Sequence, residues 1–327
     1  MVLAFFLGIA ACLVKSDLRI PPAVYSGMMI YLLFAIGLKG GAKLDGVAFA
    51  QFLPVAGCAL LLCALIPVWS FAILSRLGGF SVADAGAIAA HYGSVSAVTF
   101  ATVLAYLDSL NVAHEAYLPA LLAFMEGPGI LVALAIVQLA RSRAAQPEVA
   151  VSAVGIVATP GSAGFGRVIS ELLTGKGIVL LFGGLGIGLV GGKAGFEQVA
   201  PLFDAPFKGV LTLFLLEMGL VTGERLSDLR RSGLFMAAFA VVMPLLHGIL
   251  GVWLGRQVGL SLGGATVLGT LAASASYIAA PAAVRLALPE ANPALYLTSS
   301  LSVTFPFNVV VGIPVYLEFA RRLYADG

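Results

Sequence analysis

From residue 47 to residue 75 the chain runs for 29 residues without a charged side chain. A helix needs about 20 apolar residues to cross the hydrocarbon core of a bilayer. Nine further apolar stretches lie at roughly 2–14, 21–38, 82–107, 116–140, 176–192, 207–223, 233–256, 262–287 and 293–319. Gly, Pro and charge mark the breaks, as in Lys15-Ser16-Asp17-Leu18-Arg19, Lys39-Gly40-Gly41-Ala42-Lys43 and Arg76-Leu77-Gly78-Gly79. Only 10% of the residues are charged, against roughly 25% in soluble domains. So much apolar surface cannot be hidden in a soluble core of this size, so lipid must be the solvent. A net charge of +2 without a basic block argues against nucleic acid as a partner. The three cysteines, Cys12, Cys58 and Cys63, lie in apolar runs without metal spacing and read as buried thiols. The first run has no basic n-region and no small-residue cleavage site, so it reads as a span and not a cleaved signal.

The longest polar segment, 141–170, is rich in Ala, Gly, Ser and Pro and reads as a flexible cytoplasmic linker. It divides the chain into five spans at 1–140 and five at 171–327. The halves resemble each other. At an offset of 182, Gly27, Leu33, Gly37, Leu38, Gly41 and Leu44 meet Gly209, Leu215, Gly219, Leu220, Gly223 and Leu226. Ser94-Val95-Ser96 meets Ser274-Ala275-Ser276 at 180, and Glu115-Ala116-Tyr117-Leu118 meets Ala294-Leu295-Tyr296-Leu297 at 179. Because five is odd, the second repeat must enter the membrane the other way up. Inverted repeats of this kind build secondary transporters, whose ligands bind near the midplane at interrupted helices. The expected fold is therefore an all-α polytopic membrane protein of about ten transmembrane helices, arranged as two inverted five-helix repeats. With the N-terminus outside, eleven basic residues fall inside and seven outside, which favours both termini outside the membrane.

The fourth span contains His91-Tyr92-Gly93-Ser94-Val95-Ser96-Ala97-Val98-Thr99, which sits poorly in lipid. Unwound backbone at membrane depth is tolerated only inside protein or beside water. The ninth span offers Ser274, Ser276, Tyr277 and a helix-breaking Pro281 at the corresponding place. The fourth and ninth helices are thus expected to be interrupted. The exposed N–H groups of two half-helices, with hydroxyls beside them, suit a small anion. The candidate anion-binding residues are Gly93, Ser94, Ser96, Thr99, Ser274 and Ser276. Small hydroxyl residues also serve as helix-packing glue, which is the competing explanation for any one of them.

A carboxylate at mid-depth, Glu126, precedes Gly127-Pro128-Gly129, which should open the fifth span there. Intramembrane carboxylates are costly and mark functional sites. Glu126, Asn308 and Thr304 are the expected cation-binding set, with sodium the suspected coupling ion and no other cofactor. His91, Tyr277, Glu217 and His247 are candidates for gating or proton relay. No cluster has transition-metal spacing, and no GxSxG, HExxH or Walker motif occurs. An enzyme is not expected. The Gly183-Gly184, Gly186 and Gly188 cluster reads as close helix packing.

These residues carry a resemblance to the sodium-dependent bicarbonate transporter family over nearly the whole length. The segments "IGLKGGAKL", "GSVSAVT", "AFMEGP", "MPLLHG" and "AASASYIAAPAAVRLALPEANPALY" follow the family's order. The last is the most specific, with Ser274, Ser276, Pro281, Arg285 and the turn Pro289-Glu290-Ala291-Asn292-Pro293. The resemblance implies trimeric inverted-repeat carriers that import bicarbonate with sodium, and a PII-like cytoplasmic regulator. Cyanobacterial members carry aspartate at the positions of Tyr277 and Glu126, a Gly-Ser-Thr run where Ala97-Val98-Thr99 stands, and a longer central loop. The expected function is sodium-coupled bicarbonate symport by alternating access. The rivals are a sodium- or proton-coupled symporter of another small (organic) anion and, from another class, a passive anion channel.

Overall fold

The computed structural model describes residues 1–44, 49–144 and 162–325. The elements, in order, are α1 (Val2–Leu13), α2 (Pro22–Lys43), α3 (Phe49–Arg76), α4 (Val82–Gly93), α5 (Ala97–Ser109), α6 (Leu118–Met125), α7 (Pro128–Ala144), α8 (Ser162–Thr174), α9 (Lys176–Phe203), α10 (Phe207–Glu224), α11 (Leu226–Gln257), α12 (Leu262–Ala273), α13 (Ala279–Ala287) and α14 (Pro293–Ala325). There is no strand among the described residues. Most of the expected linker, 145–161, lies outside them.

Seven segments are long and apolar enough to cross a membrane. They are α2, α3, α4 with α5, α6 with α7, α9, the Gly233–Gln257 part of α11, and α14. Three of the ten expected spans are not in that count, for three different reasons. Helix α1 has 12 residues, a rise of about 18 Å. Helix α10 carries Lys208, Glu217 and Glu224 within its 18 residues. The segment 262–287 is divided into α12 and α13 by residues that are not helical.

The two central half-helices start alike. Ser81 caps α4 by accepting from the Asp84 amide at 3.0 Å, and Ser261 caps α12 by accepting from the Gly264 amide at 3.1 Å. Each opens a helix of 12 residues, and the paired ends, Ser81 with Ser261 and Gly93 with Ala273, both lie 180 residues apart (261−81 and 273−93). A carboxylate ties each cap to a distant loop. Asp84 accepts from the Asn292 amide at 2.8 Å, and Glu115 from the Ser261 amide at 2.5 Å. Helices α4, α5 and α12 occupy the centre and are almost wholly buried.

The outer pairs are set by glycine. A Cβ on Gly37 would lie 3.0 Å from Gly184 Cα, and one on Gly41 would lie 2.8 Å from the Leu189 amide. Contacts that advance together along both chains make α2 and α9 parallel. Gly8 stands in the same relation to Gly219, and Cys12 to Gly223, so α1 and α10 are parallel as well. Small residues four apart let helix backbones approach closely, where van der Waals contact replaces the hydrophobic drive that lipid removes. Gly184 and Gly188 bear out the packing reading, while a Cβ added at Gly183 or Gly186 would meet nothing within 4 Å among the described residues of other elements. Positive φ angles at Gly192 (57°) and Gly233 (83°) bend α9 and α11 near the expected span ends. Cys58 and Cys63 are buried as expected, and Cys12 is half-buried.

Candidate functional site

Between α4 and α5 the backbone is extended at Ser94 (φ −105°, ψ 167°) and Ser96 (φ −111°, ψ 115°). Ser274, after α12, is extended too (φ −78°, ψ 162°). The two breaks cross. The Ser96 amide donates to Ser274 Oγ at 3.0 Å, and the Ser276 amide donates to the His91 carbonyl at 2.8 Å. Ser274 Oγ in turn donates to the Leu271 carbonyl at 2.8 Å. These bonds satisfy backbone groups that unwinding would otherwise strand in an apolar interior.

Each break starts a new helix that is capped by its own serine. Ser96 Oγ accepts from the Thr99 amide at 3.2 Å, and Ser276 Oγ accepts from the Ala280 amide at 3.2 Å. Helix geometry leaves the remaining first-turn N–H groups of α5 and α13 without intrahelical acceptors. The positive ends of both helices therefore lie at the crossing.

Gly93 allows the third approach. A Cβ there would lie 3.1 Å from the Gly129 carbonyl oxygen and 3.1 Å from Pro67 Cδ, so α3 and α7 close in on the first break. Helix α6 ends at Met125 and α7 starts at Pro128, so the fifth span opens at Glu126 as the sequence suggests. The Glu126 carbonyl accepts from Ser94 Oγ at 2.6 Å, and the Met125 carbonyl receives the Cys63 thiol at 3.6 Å.

A small cavity of about 10 Å³ lies at this junction, lined by Leu33, Val95, Ser96, Ala97, Glu126, Ser276, Tyr277 and Ile278. Glu126 is only 5% exposed. Its Oε2 and the Tyr277 hydroxyl are buried without a hydrogen-bond partner among the described residues. A buried polar atom left unpaired costs about 1–3 kcal/mol, so a cavity with two of them is a place where a ligand repays binding. The other carboxylate oxygen packs on Gly177, where an added Cβ would come within 2.5 Å of it. Gly177 belongs to the first turn of α9, whose positive end favours the carboxylate anion.

The structure thus brings Ser96, Ser276, Glu126 and Tyr277 together around one cavity, with Gly93, Ser94, Thr99 and Ser274 supporting its walls. Asn308 and Thr304 do not line it. Both lie in α14, Thr304 at the end of one π-helical stretch, Thr298–Thr304, and Asn308 at the start of another, Asn308–Gly312. Asn308 Nδ2 donates to the Ala273 carbonyl at 2.8 Å, and its Oδ1 accepts from the Tyr316 hydroxyl at 2.9 Å. Thr304 accepts from the Tyr92 hydroxyl and donates to the Ala240 carbonyl, each at 2.7 Å. In this arrangement both residues pin the elements that flank the breaks.

The gating candidates divide similarly. His91 Nδ1 donates to the Ala87 carbonyl at 2.7 Å, and its ring stacks on Tyr296 at 4.6 Å. Its main-chain carbonyl, not its ring, touches the second break. His247 accepts from Trp69 Nε1 at 2.7 Å, between α11 and α3. Glu217 is half-buried on α10. None of these three lines the cavity. Leu33, Gly177 and Ile278 escaped the sequence reading as site residues, and Gly129 was read only as part of a helix break. Gly129 alone had a local signal, in Gly127-Pro128-Gly129.

The family model for the Na+-dependent bicarbonate transporter superfamily matches residues 1–321. The chain belongs to that superfamily. It is accordingly a multi-pass helical membrane protein of a transporter family and not an enzyme. Sodium and bicarbonate are the ions that the superfamily's description names. No curated protein matches the chain.

Proposed function

We propose that the chain is a secondary active transporter that imports bicarbonate together with sodium by alternating access. The observation that carries this reading is the crossing of two broken helices over the cavity of Ser96, Ser276, Glu126 and Tyr277. The positive ends of α5 and α13 suit the anion, and Ser96 and Ser276 add hydroxyl contacts. Gly93, Ser94, Thr99 and Ser274 hold that geometry. The Glu126 carboxylate supplies the charge that draws the cation, and Asn308 and Thr304 hold the elements that flank it. A cavity of about 10 Å³ has room for about one water molecule and is too small for a polyatomic anion. Loading therefore needs the bundle of α4–α7 and α12–α14 to part from that of α1, α2, α9 and α10.

The two-repeat reading, 1–140 and 171–327 around a 141–170 linker, is part of this proposal. Support comes from the parallel pairs. If α1 and α2 are antiparallel neighbours, then α9 runs with α2 and α10 with α1. The first helix of the second half then runs against the first helix of the first half, as inversion requires. Ten spans follow if α1, α10 and the α12–α13 pair also cross. The placement of both termini outside rests on the bias of basic residues, eleven against seven, while a bacterial inner membrane, a homotrimer and a PII-like regulator are carried by the family resemblance.

Tyr277 favours a second reading, a symporter of another small anion. A hydroxyl donor stands where cyanobacterial relatives carry aspartate. The test is uptake of labelled bicarbonate into proteoliposomes with and without an inward sodium gradient. Concentrative uptake that needs sodium supports the symporter. Uptake blocked by a competing organic anion but absent for bicarbonate supports the second reading. Flux without accumulation points to a channel.

A further inference from the structure

Four cavities follow one face of α2, past Met29, Leu33, Ile36 and Lys43. At the α8 end lies the largest of the four, of about 290 Å³, with Met29, Glu171, Lys176 and Ala282 in its wall. Glu171 and Lys176 are exposed, so this cavity has a wet, charged mouth. The site cavity comes next, then an apolar slot of about 10 Å³ between Leu32, Ile36, Ala101 and Phe214. At the far end is a space of about 90 Å³ beside Lys39, Lys43 and Lys208.

Among these walls one residue lines three of the four cavities. Ile278 lines the site cavity, the apolar slot and the 290 Å³ cavity, and among the described residues it is the only one common to the site and that cavity. The barrier towards Lys39 is thicker. It includes Leu32, Leu33, Ile36 and Phe214, and Gly40 packs on the Pro119 side chain beyond. Ile278 is also half-buried at the start of a short helix. It precedes α13 with φ −113° and ψ −58°, at the end of the unwound stretch, and the side-chain cap of that helix comes from Ser276, two residues before it. Helix α13 has only nine residues and packs on α8. A small rotation of this short helix would carry Ile278 away without disturbing the Ser96–Ser274 bond.

We propose that Ile278 is the gate on the exit route, and that the 290 Å³ cavity is the vestibule into which the transported ions leave towards the cytoplasm. The direction rests on the transporter reading above, with the α8 end inside. The hydrophobic side chain shuts the route to hydrated ions because an ion passing it would have to shed water without a polar partner.

The test is cysteine labelling in membrane vesicles of each orientation, on the full chain with Cys12, Cys58 and Cys63 replaced by alanine. A membrane-impermeant, positively charged thiosulfonate is added from one side. Ala282→Cys, in the vestibule wall, is expected to react from the cytoplasmic side. Ala97→Cys, in the site wall, is expected to react from that side at least about tenfold faster when Ile278→Ala is added, and more slowly with Ile278→Phe. Ile278→Val replaces the alanine variant if the latter does not fold, with the same direction expected. Equal Ala97→Cys rates across the Ile278 series, or Ala282→Cys reacting only from outside, would overturn the proposal. Labelling needs neither sodium nor bicarbonate. Its failure leaves the substrate reading standing, and absent bicarbonate uptake leaves the gate standing.

Discussion

The Ser96 amide and the Ser274 hydroxyl meet at 3.0 Å across 178 residues of sequence. One bond thereby joins the break in the fourth expected span to the break in the ninth. Ser274→Ala removes the acceptor and leaves a buried N–H unpaired, at a cost of about 1–3 kcal/mol. A lower melting temperature in detergent is expected, together with reduced uptake. A melting temperature equal to that of the wild type would mean that the crossing does not depend on this bond.

Glu126→Gln keeps the shape of the side chain and removes its charge. The carboxylate has an unpartnered oxygen in an almost closed site, so the variant is expected to be at least as stable as the wild type. Sodium stimulation of uptake should nevertheless be lost. Stimulation at the wild-type level, measured over a sodium titration, would remove Glu126 from the cation's path.

Asn308→Ala should behave in the opposite way. It deletes the bonds to the Ala273 carbonyl and the Tyr316 hydroxyl, with a loss of roughly 2 kcal/mol expected from two buried hydrogen bonds. Thermal stability should therefore fall further than in Glu126→Gln. If stability holds and only the apparent sodium affinity changes, Asn308 is a cation ligand in another state of the cycle.

The glycine pairs allow a controlled comparison. Gly184→Ala would place a methyl group 3.0 Å from Gly37 Cα, whereas the same change at Gly183 meets nothing within 4 Å. Overpacking costs typically about 1–3 kcal/mol. Gly184→Ala should lower the yield of monodisperse protein in size-exclusion chromatography, and Gly183→Ala should not. Equal profiles would argue against the parallel α2–α9 contact.

Much of the backbone plan was legible because membrane helices are punctuated by few residue types. Gly93 with its serines, and Glu126 with Gly127-Pro128-Gly129, signalled breaks that fall where expected. Gly192 and Gly233 ended apolar runs and do bend the chain. The tertiary partners were not legible. Nothing in the sequence tied Glu126 to Gly177, or turned Asn308 and Thr304 towards Tyr316 and Tyr92. Inside lipid-facing helices both faces are apolar, so hydropathy does not say which side meets a neighbour. Ile278 was hidden for the same reason, as one more aliphatic residue in an apolar run. The site also turned on main-chain groups, such as the His91 carbonyl, which residue type does not reveal.

The most direct test of coupled transport runs the linkage backwards. Labelled sodium uptake is measured in proteoliposomes with and without an inward bicarbonate gradient, at a pH where carbon dioxide leak is small. If one cavity binds both ions and moves them together, a bicarbonate gradient drives sodium in, and Glu126→Gln abolishes the effect. Sodium flux that is indifferent to bicarbonate would contradict cotransport through this site.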